Sequence, residues 1–234
     1  MTTSPEEIAP GVYRIDAFSI SNAINVFALS GEHGWTLVDT GIPSGPKRIQ
    51  AALTSLGIAP AHLTRIYLTH HHRDHIGGLP GMRAWAPHAE ILAPEHEAGI
   101  IGGRRPMDPS SNRILRSLQR WNNLPTVPVG RPLREGEVVA GFRLIATPGH
   151  TLGHTSLLSD EHGLLLTADA FGALPRKLRV GVRRGLCTDP AMAKRSAEKL
   201  LAEHYETVVF GHGPVLRGSP KQRLAEIVEQ CDYA

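Results

Sequence analysis

Three histidines and one aspartate are spaced as His-x-His-x-Asp-His in the segment from His70 to His75. Alternate residues of an extended chain point to the same side, so His70 and His72 can bind one metal ion together. Asp74 and His75 then turn towards a second position. Imidazole and carboxylate ligands suit zinc, with iron, manganese and cobalt as alternatives. The spacing therefore predicts a metal centre rather than a solvated loop.

Three further residues are candidate ligands because each follows a short apolar run. They are His150, Asp169 and His212, and glycine flanks both histidines. Alone, each of them would be interpreted as an ordinary turn residue. Together with the histidine cluster, they are the groups that would complete the coordination of the metal.

Five landmarks thus follow one another along the chain: Asp39 in Leu37-Val38-Asp39-Thr40-Gly41, the His70–His75 cluster, His150, Asp169 and His212. In these motifs the sequence resembles the hydrolases of the metallo-β-lactamase superfamily. The resemblance implies an α+β protein with the metallo-β-lactamase fold, a four-layer αββα sandwich with metal ions at one edge between the sheets. It covers most of the chain, and we expect a single domain over residues 1–234.

The resemblance also implies a role for each landmark. One ion would be bound by His70, His72 and His150, a second by Asp74, His75 and His212, with Asp169 bridging both and Asp39 orienting the ligands from behind. We expect two divalent ions, with zinc as the first choice. His154 is expected to be a hydrogen-bonded structural residue rather than a ligand.

Such a centre would make the protein a dinuclear metal-dependent hydrolase. Two ions about 3.5–4 Å apart share a water and lower its pKa from about 15.7 towards about 7. The resulting bridging hydroxide would cleave a small ester, thioester or lactone, with Asp74 as the catalytic residue that orients it and passes on a proton. No Gly-x-Ser-x-Gly elbow is present, so no serine nucleophile is expected. A phosphodiesterase or nuclease on the same fold and a mononuclear iron dioxygenase stay open as alternatives.

Within the family, N-acyl homoserine lactone lactonases and glyoxalase II enzymes resemble this chain in the metal motifs. The lactonases place a tyrosine two residues after the bridging aspartate, where this chain has Phe171. The stretch 176–184 holds five basic residues, and we expect Phe171, Arg176 and Arg179 to contact a small, anionic substrate. The segment 100–121 could close over that substrate as a lid.

Composition narrows the class of protein further. The chain has 234 residues, 41% of them hydrophobic, which is enough for one buried core. No apolar run reaches the roughly 18–20 residues of a membrane helix, and the start lacks the basic and apolar regions of a secretory signal. With two cysteines, these features predict a cytoplasmic protein. The net charge of +3 permits a nucleic-acid partner, but 5% aromatic residues leave few side chains for base stacking, so such a partner is not expected. A homo-oligomer is compatible with the sequence.

Strands and helices must bring the candidate ligands together. Apolar runs predict strands over Ile24–Leu29, Thr36–Asp39, Arg65–Leu68, Glu90–Ala93, Val138–Ala146, Thr155–Ser159, Gly163–Thr167 and Thr207–Phe210. Periodicity predicts helices over Lys47–Leu56, with Gly57 as the stop, and over Arg113–Trp121. Capping residues predict two more, one from Asp189 to His204 and one that begins at Ser219 with Gln222 in a capping box. The mixture favours sheets covered by helices.

Overall fold

The computed structural model of the chain describes residues 4–119, 124–173 and 177–233. Within these ranges the strands are β1 (Glu6–Ala9), β2 (Val12–Asp16), β3 (Asn25–Gly31), β4 (Gly34–Val38), β5 (Leu63–Tyr67), β6 (Glu90–Pro94), β7 (Arg131–Leu133), β8 (Val138–Val139), β9 (Phe142–Ala146), β10 (Thr155–Ser159), β11 (Leu164–Leu166), β12 (Phe171–Ala173), β13 (Leu178–Val180) and β14 (Thr207–Val209). The helices are α1 (Pro46–Ser55), α2 (Arg73–Ile76), α3 (Leu79–Trp85), α4 (Glu95–Ile101), α5 (Arg113–Gln119), α6 (Pro190–Leu200) and α7 (Pro220–Glu229). The fold is therefore of the mixed α+β class, as predicted.

The described residues form two compact units. The first comprises residues 4–106, 124–133 and 138–141, and the second comprises residues 107–119, 134–137, 142–173 and 177–233. Each unit has its own cluster of buried apolar side chains, with Leu37, Leu53 and Ile66 in the first and Leu165 and Val208 in the second.

The first unit is built on a seven-stranded sheet in the order β1-β2-β3-β4-β5-β6-β7. Neighbouring strands from β1 to β4 are antiparallel, and neighbouring strands from β4 to β7 are parallel. Asp39 directly follows β4, and His70 follows β5 after two intervening residues. Because parallel strands end at the same edge of a sheet, the topology places Asp39 and the histidine motif together.

In the second unit, three strands that run in the same direction likewise end at one edge of the sheet. Its strands pair in the order β14-β11-β10-β9, in which β10 is antiparallel to β9 and β11, and β11 is parallel to β14. Consequently β9, β11 and β14 run in one direction and end at one edge. His150, Asp169 and His212 follow these three strands, so the sheet brings them to the same edge.

Most of the predicted elements are confirmed, and the differences have local causes. The strand expected over Val138–Ala146 is split into β8 and β9 because Ala140 and Gly141 both adopt positive φ, 49° and 79°. Helix α1 ends at Ser55 with Leu56 as its C-cap, and the predicted stop, Gly57, follows with a φ of +74°. Helix α6 has its N-cap at Asp189, whose Oδ1 accepts a hydrogen bond from the Met192 backbone N–H at 2.9 Å, but it ends at Leu200 rather than His204.

The predicted capping box at Ser219 is wrong. Ser219 lies in the left-handed region, with φ of 58°, and its side chain makes no capping hydrogen bond. An N-cap side chain reaches the first-turn N–H groups from an extended backbone, so this conformation points the hydroxyl elsewhere. Gln222 instead donates to Glu226 Oε1, one turn further along α7.

None of the helices in the described part of the chain has the length and apolar character that crossing a membrane would require.

Candidate metal centre

The histidine motif of the first unit forms a cluster of rings between β5 and α2. The ring centroids of His70 and His72 lie 4.9 Å apart, and those of His70 and His75 lie 4.0 Å apart. His72 has extended backbone angles and is the N-cap of α2, so Asp74 and His75 lie in the helix. His70 and His75 are fully buried, whereas His72 and Asp74 are half-buried. The alternation predicted for His70 and His72, followed by a turn at Asp74, is confirmed.

Asp39 lies beneath this cluster and determines how two of the histidines are protonated. Its Oδ2 atom lies 2.7 Å from Nδ1 of His75 and accepts a hydrogen bond from the Thr69 hydroxyl at 2.8 Å. A carboxylate only accepts, so Nδ1 of His75 carries the proton. The Thr69 hydroxyl, having donated to Asp39, accepts from Nδ1 of His70 at 3.0 Å. Both imidazoles therefore have their proton on Nδ1 and their lone pair on Nε2.

This protonation state is the one that a metal ligand needs. A metal-binding histidine donates its other N–H to a carboxylate or another oxygen, which holds the ring in place. Asp39 does so directly for His75 and through Thr69 for His70. The Asp39 Oδ1 atom also accepts from the Thr69 backbone N–H at 2.8 Å. The donor set of the first unit thus fits a divalent ion that prefers nitrogen and oxygen ligands.

In the second unit, two histidines approach one carboxylate oxygen. The Oδ2 atom of Asp169 lies 3.3 Å from Nε2 of His150 and 3.4 Å from Nε2 of His212. All three side chains are buried. The structure thus brings together the three ligands that the sequence places far apart.

His150 is oriented by the loop that follows β9. Its Nδ1 atom lies 3.2 Å from the carbonyl oxygen of Gly181, so Nδ1 donates, and in the neutral ring Nε2 carries the lone pair. The preceding Gly149 has a φ of +130°, and a Cβ there would lie 2.1 Å from the backbone nitrogen of Ala193. The loop can therefore pack this closely against α6 because residue 149 is glycine. The glycine seen beside His150 in the sequence has this steric cause.

His154 positions the backbone of Asp169 and is itself part of a chain of hydrogen bonds. Its Nε2 atom accepts from the Asp169 backbone N–H at 3.0 Å, and its Nδ1 atom contacts the Thr147 hydroxyl at 2.8 Å. That hydroxyl lies 3.1 Å from the Ser156 hydroxyl, which donates to the carbonyl oxygen of Thr167. His154 is therefore hydrogen-bonded within the unit, as predicted.

Glu97 is a residue of the site that sequence reasoning did not find. Its Oε2 atom accepts from the His71 backbone N–H at 2.8 Å and lies 2.6 Å from His71 Nδ1. Both side chains are fully buried. Since His71 lies between His70 and His72, this contact fixes the backbone of the motif. One signal could have identified it. Glu97 comes shortly after β6 and Asp39 comes directly after β4, and both strands are parallel neighbours of β5.

Two glycines, Gly77 and Gly78, follow the histidine motif directly. Both adopt ordinary right-handed angles, with φ of −60° and −83°, so their role is not a sharp bend of the backbone. A Cβ on Gly78 would lie 2.1 Å from the Thr40 carbonyl oxygen, and one on Gly77 would lie 2.6 Å from Pro43. These glycines permit close packing of α2 against the loop after β4.

The predicted substrate-contacting residues lie in different surroundings. Phe171 is fully buried and packs in the apolar cluster of the second unit, where it pairs with Val180 across β12 and β13. Arg179 is half-buried in β13 and lines a cavity. Arg176 lies outside the described residues. In the proposed lid segment, Ser110 and Ser111 bond to the backbone of residues 184–187 within the second unit.

Comparison with known proteins places the chain in a family. Residues 21–212 match the family model of the metallo-beta-lactamase superfamily. YobT of Bacillus subtilis (strain 168), described as uncharacterized, is 29% identical over 94% of this chain and 95% of its own length. A hydroxyacylglutathione hydrolase of Enterobacter sp. (strain 638) is 28% identical over 60% of this chain, and the match spans 48% of that protein.

A solved structure agrees with the fold. BJP-1, a subclass B3 metallo-beta-lactamase of Bradyrhizobium japonicum, matches with a TM-score of 0.72 and 21% identity over 98% of this chain and 92% of that chain. The predicted metallo-β-lactamase fold is therefore confirmed. The family model covers well over half of the sequence and includes all five landmarks, and the histidine and aspartate clusters are able to hold metal. The chain belongs to the metallo-beta-lactamase superfamily of metal-dependent hydrolases.

Proposed function

We propose that the protein cleaves a small ester, thioester or lactone with the help of two divalent ions, for which zinc is the first choice. His70, His72 and His150 bind one ion in this proposal, Asp74, His75 and His212 bind the other, and Asp169 bridges them. The assignment rests on the family resemblance and on the chemistry of the donor set in each unit.

The observation that carries the proposal is the approach of Asp169 Oδ2 to His150 Nε2. The Gly181 carbonyl accepts from Nδ1 of this ring, so Nε2, the other ring nitrogen, faces a carboxylate oxygen at 3.3 Å. In the neutral ring Nε2 carries a lone pair, which repels a carboxylate oxygen unless a cation lies between the two atoms. His212 Nε2 approaches the same oxygen at 3.4 Å. A carboxylate placed between two imidazoles in this way is suited to bridge two ions.

Bound divalent ions supply Lewis acidity and a water molecule of lowered pKa. The residues of the chain would supply orientation and proton transfer. Asp39 and Thr69 keep the Nε2 lone pairs of His70 and His75 available for ligation. Asp74, half-buried in the first turn of α2, is the group that would accept a proton from the attacking water and deliver it to the leaving group.

The substrate class rests on the relatives and on charge. A relative named hydroxyacylglutathione hydrolase acts on an acylated glutathione, which supports an acyl substrate for this chain as well. A lactone is an internal ester and would be attacked in the same way. The basic stretch 176–184 predicts a negatively charged substrate. Contact with Phe171, Arg176 and Arg179 stays a prediction, while Phe171 is buried and Arg179 lines a cavity that the candidate ligands do not line.

The test is a substrate panel assayed with metal-reconstituted protein, with metal content measured on the same samples. We expect turnover of a thioester, ester or lactone, its loss on chelation, and its return when zinc is added. Asp169→Ala should lose metal and activity together, whereas the matched surface variant Asp160→Ala should keep both. Turnover confined to phosphodiesters would favour the nuclease alternative. One iron per chain with no hydrolysis would favour the dioxygenase alternative.

Three further features stay predictions. We propose that residues 1–234 act as a single domain, that the protein is cytoplasmic, and that its partner is a small molecule rather than a nucleic acid. Size-exclusion chromatography with light scattering would decide whether it forms a homo-oligomer.

A further inference from the structure

The second unit contains a cavity that none of its candidate metal ligands lines. Its volume is about 600 Å³, and residues 177–180, 183–184, 227 and 230–233 form its walls. We call it the basic pocket, since its charged lining is Lys177, Arg179, Arg183, Arg184 and Asp232. Cavities of this size are typical of small-molecule sites.

The charge of the basic pocket favours an anion. Four of its described lining residues are basic, and Asp232 is the single carboxylate among them. Three of the four bases are arginines, whose planar guanidinium groups bind phosphate oxygens through paired hydrogen bonds. Lys177, Arg183 and Arg184 are exposed, so their charged ends can reach a ligand from solvent.

One wall of the basic pocket is held in place by hydrogen bonds. The Tyr233 hydroxyl donates to the Val180 carbonyl oxygen at 3.1 Å, and Lys194 Nζ donates to the Cys231 carbonyl oxygen at 2.8 Å. The Arg184 guanidinium lies 5.7 Å from the centre of the Tyr233 ring. These contacts tie segment 231–233 to β13 and α6 before any ligand arrives, which lowers the entropic cost of binding.

The shape of the basic pocket favours a small molecule over a nucleic-acid strand. A single-stranded nucleic acid is bound along an extended basic groove with several aromatic residues for base stacking. The described lining here is concave, and Tyr233 is its one aromatic residue. A ligand with one or two phosphate groups and a modest organic part fits this combination.

We propose that the basic pocket binds a small organic phosphate, whose phosphate group is held by Arg183, Arg184 and Lys177. This site is additional to the metal centre and does not depend on the proposed hydrolysis.

The test is isothermal titration calorimetry of the full chain after chelation, with adenosine 5′-diphosphate as the probe and adenosine as the uncharged control. We expect adenosine 5′-diphosphate to bind and adenosine not to bind. Arg183→Ala should weaken binding about tenfold, because one charge-assisted hydrogen bond is lost. The matched variant Arg195→Ala, which removes an exposed arginine of α6 outside the pocket, should leave the affinity unchanged.

Several results would overturn the proposal. Absence of binding at millimolar probe would do so, as would equal weakening by Arg183→Ala and Arg195→Ala, since that would indicate a general charge effect. Binding of a single-stranded 20-nucleotide DNA without binding of adenosine 5′-diphosphate would also overturn it. Phosphate bound at residual metal would disappear in Asp169→Ala, whereas the proposed site predicts unchanged binding in that variant.

Discussion

Oδ2 of Asp39 lies 2.7 Å from Nδ1 of His75, although the two residues are 36 positions apart in the sequence. The contact forms because β4 and β5 are parallel neighbours and both residues follow the carboxyl ends of these strands. It keeps the ring proton of His75 on Nδ1, which leaves Nε2 as the nitrogen that can bind a metal ion. The carboxylate therefore controls which atom of the ring can act as a ligand.

Asp39→Asn tests this control with little change in shape. Oδ1 of Asp39 accepts from the Thr69 backbone N–H, so the asparagine amide group would replace Oδ2 and face His75. An amide N–H cannot accept from His75 Nδ1, and the ring proton would move to Nε2, the ligand atom. We expect zinc affinity to fall about 10–100-fold in a chelator competition assay. Unchanged affinity would contradict the role assigned to Asp39, and Glu161→Gln is the exposed control.

Gly149→Ala should be far more damaging than an alanine at another glycine of positive φ. A Cβ at residue 149 would lie 2.1 Å from the Ala193 backbone nitrogen, whereas one at Gly57 meets nothing within 4 Å. Gly57→Ala should cost about 1 kcal/mol through backbone strain. Gly149→Ala adds a backbone clash and should cost more than about 3 kcal/mol in the free energy of urea unfolding. Equal losses in the two variants would contradict the close approach described here.

Glu97→Ala should destabilise the protein by about 3 kcal/mol in urea unfolding. The change removes the acceptor of two buried donors, the backbone N–H and Nδ1–H of His71. Glu97→Gln keeps one carbonyl oxygen at that position and should cost about 1 kcal/mol. Glu95→Ala, an exposed change in the same first turn of α4, should stay within about 0.5 kcal/mol. A loss for Glu97→Ala no larger than that of Glu95→Ala would contradict the anchoring role.

Stability should fall at alkaline pH because buried acids must lose protons on unfolding. Burial raises the pKa of the Cys187 thiol from 9.0 to about 12, and burial raises the pKa of Tyr205 from 10.0 to about 12. These raised values stabilise the fold fully below the unfolded pKa values, and the gain is lost as pH rises from about 9 towards 12. The free energy of unfolding should drop by roughly 2 kcal/mol or more between pH 9 and pH 11.

Cys187→Ala provides the comparison for this pH dependence. The variant lacks the buried thiol, so its unfolding free energy should fall less steeply above pH 9 than that of the parent chain. Cys231→Ser alters a thiol that is only partly buried and should leave most of the slope in place. Identical slopes for the parent chain and Cys187→Ala would show that the thiol contributes nothing.

The sequence predicted the candidate ligands better than the residues that support them. His70, His72, Asp74 and His75 are recognisable because their types and spacing carry the chemistry. The partners of the motif carry no such pattern. Glu97 lies in an ordinary helical stretch, and its role depends on the pairing of β6 with β5, which periodicity does not reveal.

Local backbone conformation set a second limit to prediction. Ser219 has the residue type of an N-cap, yet its left-handed conformation excludes the expected hydrogen bond. Gly78 has the residue type of a bend but ordinary right-handed angles, and the close approach of the Thr40 carbonyl oxygen explains the glycine. In both cases the residue type was noticed and the tertiary neighbour decided its role.

The loops that carry the ligands are tied down by main-chain hydrogen bonds. Thr40 N–H donates to the His75 carbonyl oxygen, Thr188 N–H to that of His150, and Gly211 N–H to that of Ala168. These bonds form between peptide groups and need no ion. The apoprotein should therefore reach its native fold before it binds any metal, and a bound ion should be exchangeable, zinc for cobalt for example, without refolding of the chain.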